Sequence, residues 1–273
     1  MPEPIRYSII ARLTRLYPFY SGCGTIANSK FIRSLCGNSS DSVWTKVPGG
    51  ELLAPLDDYV GRAAYFCGDL DRKLTRICSL VVKPGDTVLD IGANLGLVTL
   101  QLSKLVGEAG RVHAFEPNPT MQDYVRRVIE RNQLQNTSLH PIGLGDQNSV
   151  LKLRVPKGNA GAGSLVRHAD RSDRIDVEVQ IRTLSEIVER EGIASIKLIK
   201  IDVEGFETQV FRGGFSVIDR LRPELIVFEQ NDHWNGPIGE RPCFKILSEL
   251  GYKFLAHTVI RGGSVLVLVF VVL

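Results

Sequence analysis

Short apolar stretches alternate with longer amphipathic ones from Lys83 to the end of the chain. Strands that alternate with amphipathic helices are typical of βαβ units around a parallel sheet. The pattern predicts seven strands, at Thr87–Ile91, Arg111–Phe115, Ser138–Ile142, Ile196–Ile201, Leu225–Glu229, Tyr252–His257 and Val265–Val271. The predicted helices between them include Asn94–Val106, Pro119–Asn132, Ser185–Glu191 and Pro242–Leu250. The sequence therefore predicts an α/β fold with a mostly parallel seven-stranded sheet and flanking helices.

Two regions depart from this alternation. Residues 147–182 form an insert in which a glycine-rich loop separates two further predicted strands, Val150–Val155 and Asp176–Ile181. Residues 1–80 lack strand alternation, and we predict a mainly helical N-terminal segment that packs on the α/β domain, residues 81–273.

The N-terminal segment opens with a stretch of near-helical apolar spacing. The apolar residues are Ile5, Ile9, Leu13, Leu16 and Tyr17. Three arginines, Arg6, Arg12 and Arg15, interrupt the apolar run that a secretory signal requires. A helix packed on the domain is the favoured interpretation, and a basic amphipathic helix on a membrane surface is the alternative.

Composition and charge narrow the class of protein. The 273 residues are 44% hydrophobic and 23% charged, and the net charge is +3 with both signs spread along the chain. This favours a globular protein and gives no support to nucleic-acid binding. Five cysteines without a CxxC pair argue against a zinc ribbon and fit a reducing compartment, so we predict a cytoplasmic protein. The apolar C-terminus, residues 265–273, is too short for a transmembrane helix, and no transmembrane segment is predicted.

The strongest local signal is a glycine-rich turn that follows the first predicted strand of the sheet and opens a helix. In the segment Val88–Gly96, Gly92 allows a tight turn and lets a ligand approach the backbone closely. The carboxylate of Asp90 can accept hydrogen bonds or lie near a cation. A dinucleotide site prefers glycine where this chain has Asn94, because that glycine makes room for the pyrophosphate. NAD binding is therefore the weaker alternative.

Two further acids follow the next two strands. Glu116 lies where an acid accepts hydrogen bonds from both hydroxyls of a ribose. Asp146 lies where a carboxylate can accept a hydrogen bond from an adenine amino group. Carboxyl ends of adjacent parallel strands share one edge of the sheet, where open α/β sheets bind ligands. The turn and the two acids together predict an adenosine-binding cleft.

Three segments together resemble the FkbM family of methyltransferases. Asp90–Gly96, His113–Pro119 and Lys200–Glu207 occur in the order and spacing of that family, and the resemblance covers about residues 80–230. It implies a class I methyltransferase (Rossmann-like) fold, S-adenosylmethionine as methyl donor and usually O-methylation. Acceptors across such a family are typically sugar or polyketide hydroxyls on secondary metabolites and glycans.

The resemblance also assigns roles by position. The implied cofactor contacts are Asp90, Gly92, Asn94 and Gly96 in the loop, Glu116 at the ribose and Asp146 near the adenine. Gly163–Leu165 resembles a family element in a loop that could cover the site. Ser185 departs from the family, which usually has Asp after Thr-Leu; serine can replace that acid if it caps the following helix. If the family's aspartate contacts the substrate instead, the substrate specificity of this chain differs from that of the family. The apolar C-terminus is a second departure.

The fourth predicted strand ends in charged residues. Because side chains alternate along a strand, Lys200, Asp202 and Glu204 are predicted to share one side. A hydroxyl that accepts a methyl group loses a proton, which Asp202 or Glu204 could take while Lys200 orients the carboxylate. A purely structural Lys200–Asp202 ion pair is the alternative. His233 is an alternative base or else a solvated loop histidine, and Trp234 could stack on a sugar ring.

The sequence thus predicts an S-adenosylmethionine-dependent methyltransferase that transfers a methyl group in line to a hydroxyl of a sugar, glycan or secondary metabolite. A non-catalytic adenosine-binding partner protein is the hypothesis from another class, and a dehydrogenase is a distant third. The predicted partner is a hydroxylated small molecule or glycan, not a nucleic acid. No metal is predicted, although the acids at 202, 204 and 229 could bind a divalent ion, and His113 is predicted to be structural.

Overall fold

The computed structural model describes residues 5–37, 39–156, 161, 163–165, 174–230, 237–259 and 266–271. The helices in these ranges are α1 (Ile5–Thr14), α2 (Cys23–Ala27), α3 (Lys30–Cys36), α4 (Tyr59–Cys67), α5 (Arg72–Val81), α6 (Leu97–Val106), α7 (Pro119–Asn132), α8 (Leu184–Arg190), α9 (Glu207–Leu221) and α10 (Pro242–Glu249). The strands are β1 (Ser42–Val47), β2 (Gly50–Pro55), β3 (Thr87–Ile91), β4 (Arg111–Phe115), β5 (Thr137–His140), β6 (Gly143–Leu144), β7 (Ser149–Pro156), β8 (Arg174–Arg182), β9 (Leu198–Ile201), β10 (Leu225–Gln230), β11 (Lys253–Val259) and β12 (Leu266–Val271).

Seven strands form the central sheet in the order β11-β12-β10-β9-β3-β4-β5. Strands β10, β9, β3, β4 and β5 run parallel, and β12 runs antiparallel to both of its neighbours. The predicted mostly parallel seven-stranded sheet is confirmed. From β3 the chain adds β4 and β5 on one side and β9 and β10 on the other. The carboxyl ends of β3 and β9 therefore form the switch point at which open α/β sheets bind ligands.

Helices cover both faces of this sheet. Because side chains alternate along a strand, Ile199 and Ile226 pack beneath α8, α9 and α10 on one face. Leu198 and Leu225 point to the other face and pack with residues of α5 and α6. The sheet is thus buried on both sides, which explains why its strands are apolar almost throughout.

Several element bounds differ little from those predicted, and one difference is informative. The strands β3 and β4 and the helix α7 have the predicted bounds. Helix α6 begins at Leu97 rather than at Asn94. Asn94 and Gly96 have φ of 53° and 84°, left-handed backbone that a right-handed helix cannot include. The three residues before α6 belong to the turn instead.

The N-terminal segment contains a β-hairpin that the sequence did not predict. Strands β1 and β2 pair antiparallel through a tight turn, and four residues in a row at the end of β2 are buried, so period-two alternation is absent there. The side chain of Asn132, at the end of α7, ties the hairpin to the main domain. It accepts from the N–H of Glu51 at 2.8 Å and donates to the Glu51 carbonyl at 2.7 Å. The domain boundary at residue 80 stays a prediction.

The predicted insert strands correspond to β7 and β8, which pair antiparallel and form a small sheet with β6. Within the described ranges, every helix is too short or too polar to cross a bilayer.

Candidate active site

The glycine-rich turn between β3 and α6 bends sharply. Gly92 has φ 81°, and a Cβ at this position would lie 1.8 Å from the carbonyl oxygen of Asp202. No larger residue fits there without moving the chain. The N–H groups of Gly92 and Ala93 both donate to the carbonyl of Phe115, at 2.9 and 3.0 Å. The turn is therefore tied to the end of β4 and pressed against the residue that follows β9.

Glu116, directly after β4, is buried at the edge of the sheet. One carboxylate oxygen accepts from the N–H of Asn94 at 2.7 Å, and the other accepts from the N–H of Asn118 at 2.8 Å. Burial raises the pKa of Glu116 to about 7, although both hydrogen bonds favour the ionised form. Each oxygen keeps a further lone pair, so the fixed carboxylate can also accept from ligand hydroxyls.

Asn94 reaches from the turn into the same cleft. Its Nδ2 donates to the carbonyl of Gly161 at 3.1 Å. Its Oδ1 is buried and has no hydrogen-bond partner in the described part of the chain. Since buried polar atoms nearly always have a partner, this oxygen is available to a donor group of a ligand.

Two adjoining cavities open at the carboxyl ends of the parallel strands. The walls of the first chamber include Phe115, Glu116, Met121, Ile142, Gly143 and Leu144. The walls of the second chamber include Val60, Asp69, Leu70, Leu74, Phe228 and Glu229. Gly92, Asn94 and Asp202 border both chambers. The two chambers therefore meet at the glycine turn and at one carboxylate.

Asp90 and Lys200 form a buried ion pair beneath the turn. Lys200 Nζ lies 3.1 Å from Asp90 Oδ1 and donates to the carbonyl of Gly92 at 2.6 Å. Thr99 donates to the other oxygen of Asp90 at 2.6 Å. Burial lowers the pKa of Lys200, but Asp90 and Asp202 outweigh it, and the pKa lies above its usual range. Asp90 is fully buried and borders neither chamber, so it supports the glycine turn from below. The partner of Lys200 is Asp90, not Asp202 as the alternative interpretation had it.

The predicted row of charges along the fourth strand is interrupted. Strand β9 ends at Ile201, and Glu204 has φ 53°, so strand alternation does not extend past Asp202. Asp202 borders both chambers, whereas Glu204 borders the first alone. Burial raises the pKa of Asp202, and the charge of Lys200 opposes that shift. Lys200, Asp202 and Glu204 thus come together near the turn, with only the first of them on the strand.

Of the other predicted site residues, Gly96 lies in the turn but borders neither chamber, and two more do not join this arrangement. Asp146 is exposed and borders neither chamber; the walls next to it along the chain are Ile142, Gly143 and Leu144. His233 lies outside the described residues, as does Trp234.

The sequence did not single out Glu207, which closes the third family-like segment. Its Oε1 accepts from the N–H groups of Gly205 at 3.0 Å and Val203 at 3.4 Å. Burial raises the pKa of Glu207 to about 7. The residue holds the loop that carries Asp202 and Glu204. Glu207 is the first residue of α9, a helix that is not among those predicted. An acid before an amphipathic stretch was the available signal, since acids at a helix start bond to free backbone N–H groups.

The Gly163–Leu165 element lies where it was expected, against the site. Gly163 and Leu165 border the first chamber. The hydroxyl of Ser164 donates to the carbonyl of Glu204 at 2.9 Å. This contact joins the insert to the loop after β9.

Ser185 does not cap α8. Thr183 is the cap, and its hydroxyl accepts from the N–H of Glu186 at 3.2 Å. Ser185 instead donates to the carbonyl of Gly213 in α9 at 2.9 Å. It borders neither chamber, so the departure from the family pattern affects the packing of two helices.

Within the described ranges, one group of side chains has ligand atoms close enough to share a metal ion: His113, His140 and Glu191, within 4.8 Å of one another. His113 Nδ1 and His140 Nε2 lie 3.1 Å apart, and the His140 ring stacks on Phe115. Burial lowers the pKa of both histidines, that of His140 to about 4. None of the three borders a chamber. The expected absence of a metal stays a prediction.

The fold and the site together define a class I methyltransferase. The sheet has one reversed strand near its edge, a glycine bend after β3 and a buried acid after β4. Residues 90–254 match the family model described as the methyltransferase FkbM domain. The match spans more than half of the chain, and the protein belongs to the FkbM methyltransferase family.

Several named methyltransferases resemble the chain over much of its length. Methyltransferase sdnD of Sordaria araneosa is 27% identical over 59% of this chain and 71% of its own. The 31-O-demethyl-FK506 methyltransferase FkbM of Streptomyces tacrolimicus is 27% identical over 74% of this chain and 86% of its own. The 2-O-methyltransferase NoeI of Sinorhizobium fredii is 25% identical over 63% and 75%.

Proposed function

We propose that this protein transfers the methyl group of S-adenosylmethionine in line to a hydroxyl oxygen of a sugar, glycan or secondary metabolite. The observation that carries the proposal is the position of Asp202. It borders both the chamber that contains Glu116 and the second chamber. A carboxylate at this junction would lie between a methyl donor in the first chamber and a methyl acceptor in the second.

The residues of the first chamber fit an adenosine. The buried carboxylate of Glu116 is fixed by two N–H donors and can accept from ribose hydroxyls. The buried Oδ1 of Asn94 offers an acceptor that no described residue uses. The bend at Gly92 brings backbone, rather than a side chain, to the cavity wall. When bound, S-adenosylmethionine supplies a methyl carbon that its sulfonium already activates.

The remaining work is positioning and proton transfer by the chain itself. Lys200 fixes the turn, because it pairs with Asp90 beneath the turn and donates a hydrogen bond to the Gly92 carbonyl within it. The N–H of Asp202 donates to the carbonyl of Ile91 at 2.9 Å, which fixes this residue beside the turn. Its carboxylate takes the proton of the acceptor hydroxyl. Burial raises the pKa of Asp202, which makes it a stronger base than an exposed carboxylate.

The second chamber suits a neutral hydroxylated acceptor. Leu70, Leu74 and Phe228 offer apolar surface to a ring, and Asp69 and Glu229 offer carboxylate acceptors to hydroxyls. An acidic wall repels phosphates, so a nucleic-acid acceptor is disfavoured. The names of two relatives describe O-methyl transfer, at a 31-O and a 2-O position. Both points support a hydroxyl acceptor on a small molecule or glycan, and five buried thiols support the cytoplasm as its location.

The test is incubation of the protein with methyl-labelled S-adenosylmethionine and host extract, followed by identification of the labelled product. We expect a methyl ether on a hydroxylated compound, and an N-methylated product would contradict the acceptor class. Stoichiometric cofactor binding without labelling of any fraction would identify a non-catalytic binding protein instead. A thermal-shift comparison of NAD with S-adenosylmethionine separates a dehydrogenase, because only the bound compound stabilises the fold.

A further inference from the structure

The outer side of α1 is apolar. Tyr7 and Ala11 point into the protein and are buried. Ile9, Leu13 and Leu16, the last in the turn that follows, are 53%, 64% and 77% exposed. Residues three or four apart lie on one face of a helix, so these three form a stripe on the outside. A surface helix ordinarily places polar residues there.

Further large apolar side chains are exposed close by. Phe19 follows the stripe in the chain, and Phe31 and Leu35 lie one turn apart on the outer side of α3. The two helices touch, because the hydroxyl of Tyr7 donates to the carbonyl of the buried Cys36. The apolar surface, as we name it, consists of Ile9, Leu13, Leu16, Phe19, Phe31 and Leu35.

This surface lies in the most basic part of the sequence. Residues 4–40 contain five basic residues and no aspartate or glutamate. The rest of the chain carries 28 basic and 30 acidic residues, so the excess positive charge is confined to this segment. Arg12 is exposed on the outer side of α1, among the residues of the stripe.

We propose that the apolar surface docks on a bilayer that contains anionic lipids. Apolar side chains of an interfacial helix insert at the boundary of head groups and acyl chains, and neighbouring basic residues attract anionic head groups. A second copy of the chain is a poorer occupant, because two basic surfaces would repel each other on contact. The partner with complementary charge and an apolar interior is a membrane surface.

The experiment is cosedimentation of the full chain with vesicles of phosphatidylcholine alone and of phosphatidylcholine mixed with phosphatidylglycerol. We expect binding to the mixed vesicles that weakens in high salt. The double variant Leu13→Gln, Leu16→Gln should reduce the partition coefficient by about tenfold or more. Arg12→Gln should reduce the partition coefficient about fivefold, because each basic residue near an anionic surface strengthens binding by about that factor.

The matched control is Leu80→Gln on α5. Leu80 is 64% exposed, as Leu13 is, but it lies outside the apolar surface, and binding should not change. All of these side chains are exposed, so the variants should keep the thermal stability of the parent. Equal binding to neutral vesicles, absence of binding, or self-association that the double variant abolishes would each overturn the proposal. The assay uses no methyl transfer and is therefore independent of the proposed reaction.

Discussion

The two chambers that meet at Asp202 are built in different ways. In the first, backbone groups fix the proposed cofactor acceptor: two N–H groups hold the carboxylate of Glu116, and the bend at Gly92 beside it leaves no space for a side chain. The second depends on side chains that come from distant parts of the sequence. Leu70 belongs to the N-terminal segment, whereas Phe228 belongs to β10.

This difference separates two kinds of specificity. A group that the backbone fixes tolerates few substitutions around it, because an added Cβ or a change of φ moves the chain itself. A wall made of side chains can change its shape and charge while the sheet stays intact. Substitutions in the proposed cofactor chamber should therefore abolish cofactor binding. Substitutions in the proposed acceptor chamber should instead change which acceptor the protein prefers.

The largest expected effect is that of Gly92→Ala. The new Cβ would lie 1.8 Å from the Asp202 carbonyl in a residue with φ 81°. We expect a loss of about 2–4 kcal/mol in the free energy of unfolding and no measurable S-adenosylmethionine binding. Denaturant titration and calorimetry measure the two quantities.

Gly85→Ala is the matched control for Gly92→Ala. Gly85 has φ 94°, but a Cβ there meets nothing within 4 Å. The Gly85→Ala variant should lose about 1 kcal/mol in the free energy of unfolding, because it carries the backbone strain without the clash. It should bind the cofactor normally. If the two variants bind equally well, the first chamber does not depend on this bend.

The next effect is that of Asp202→Asn. An amide cannot take the hydroxyl proton, so turnover should fall by about a hundredfold or more. The cofactor dissociation constant should change by less than about threefold, because the assigned cofactor contacts remain. Glu204→Gln is the comparison variant, since Glu204 borders the first chamber alone. Unchanged turnover in Asp202→Asn, with a large loss in Glu204→Gln, would transfer the role of base to Glu204.

A smaller effect is the pH dependence that Glu116 imparts. Its pKa of about 7 implies that S-adenosylmethionine binding tightens as pH rises through neutrality, because the ionised carboxylate accepts stronger hydrogen bonds. Between about pH 6 and 8 the gain should be up to about tenfold. Glu116→Gln should bind more weakly and without this dependence. Affinity that is independent of pH in the parent protein would contradict the assignment.

The same pKa shift has a consequence for stability. The pKa of Glu116 in the fold exceeds its ordinary value of 4.5, so the folded chain binds an additional proton between about pH 4.5 and 7. The contribution of this residue to stability is therefore lost as pH rises through that window. The pKa of Glu207 is also about 7, so its contribution to stability should be lost over the same pH range. Because Glu207 borders neither chamber, Glu207→Gln should keep the pH dependence of cofactor binding.

The sequence predicted best what depends on neighbouring residues. Strand β3, the glycine turn and helix α6 follow one another along the chain, and the residues of each segment are enough to predict it. The ion pair of Asp90 and Lys200 depends instead on strand order, because these residues are direct neighbours only once β3 lies beside β9. The second chamber and the hairpin β1–β2 likewise depend on how the N-terminal segment packs, which periodicity does not encode.

The smallest expected effect is that of Asp146→Asn, which tests where the first chamber ends. Asp146 is exposed and outside both chambers, and a solvent-screened charge contributes little to affinity. The dissociation constant of S-adenosylmethionine should therefore stay within about twofold of the parent value, whereas Glu116→Gln in the same assay should weaken binding about tenfold. A loss in Asp146→Asn as large as that in Glu116→Gln would mean that the adenine end reaches past Leu144 to an exposed side chain. The first chamber would then use an exposed side chain that no backbone group fixes, and the contrast between its backbone-fixed acceptor and the side-chain walls of the second chamber would no longer hold.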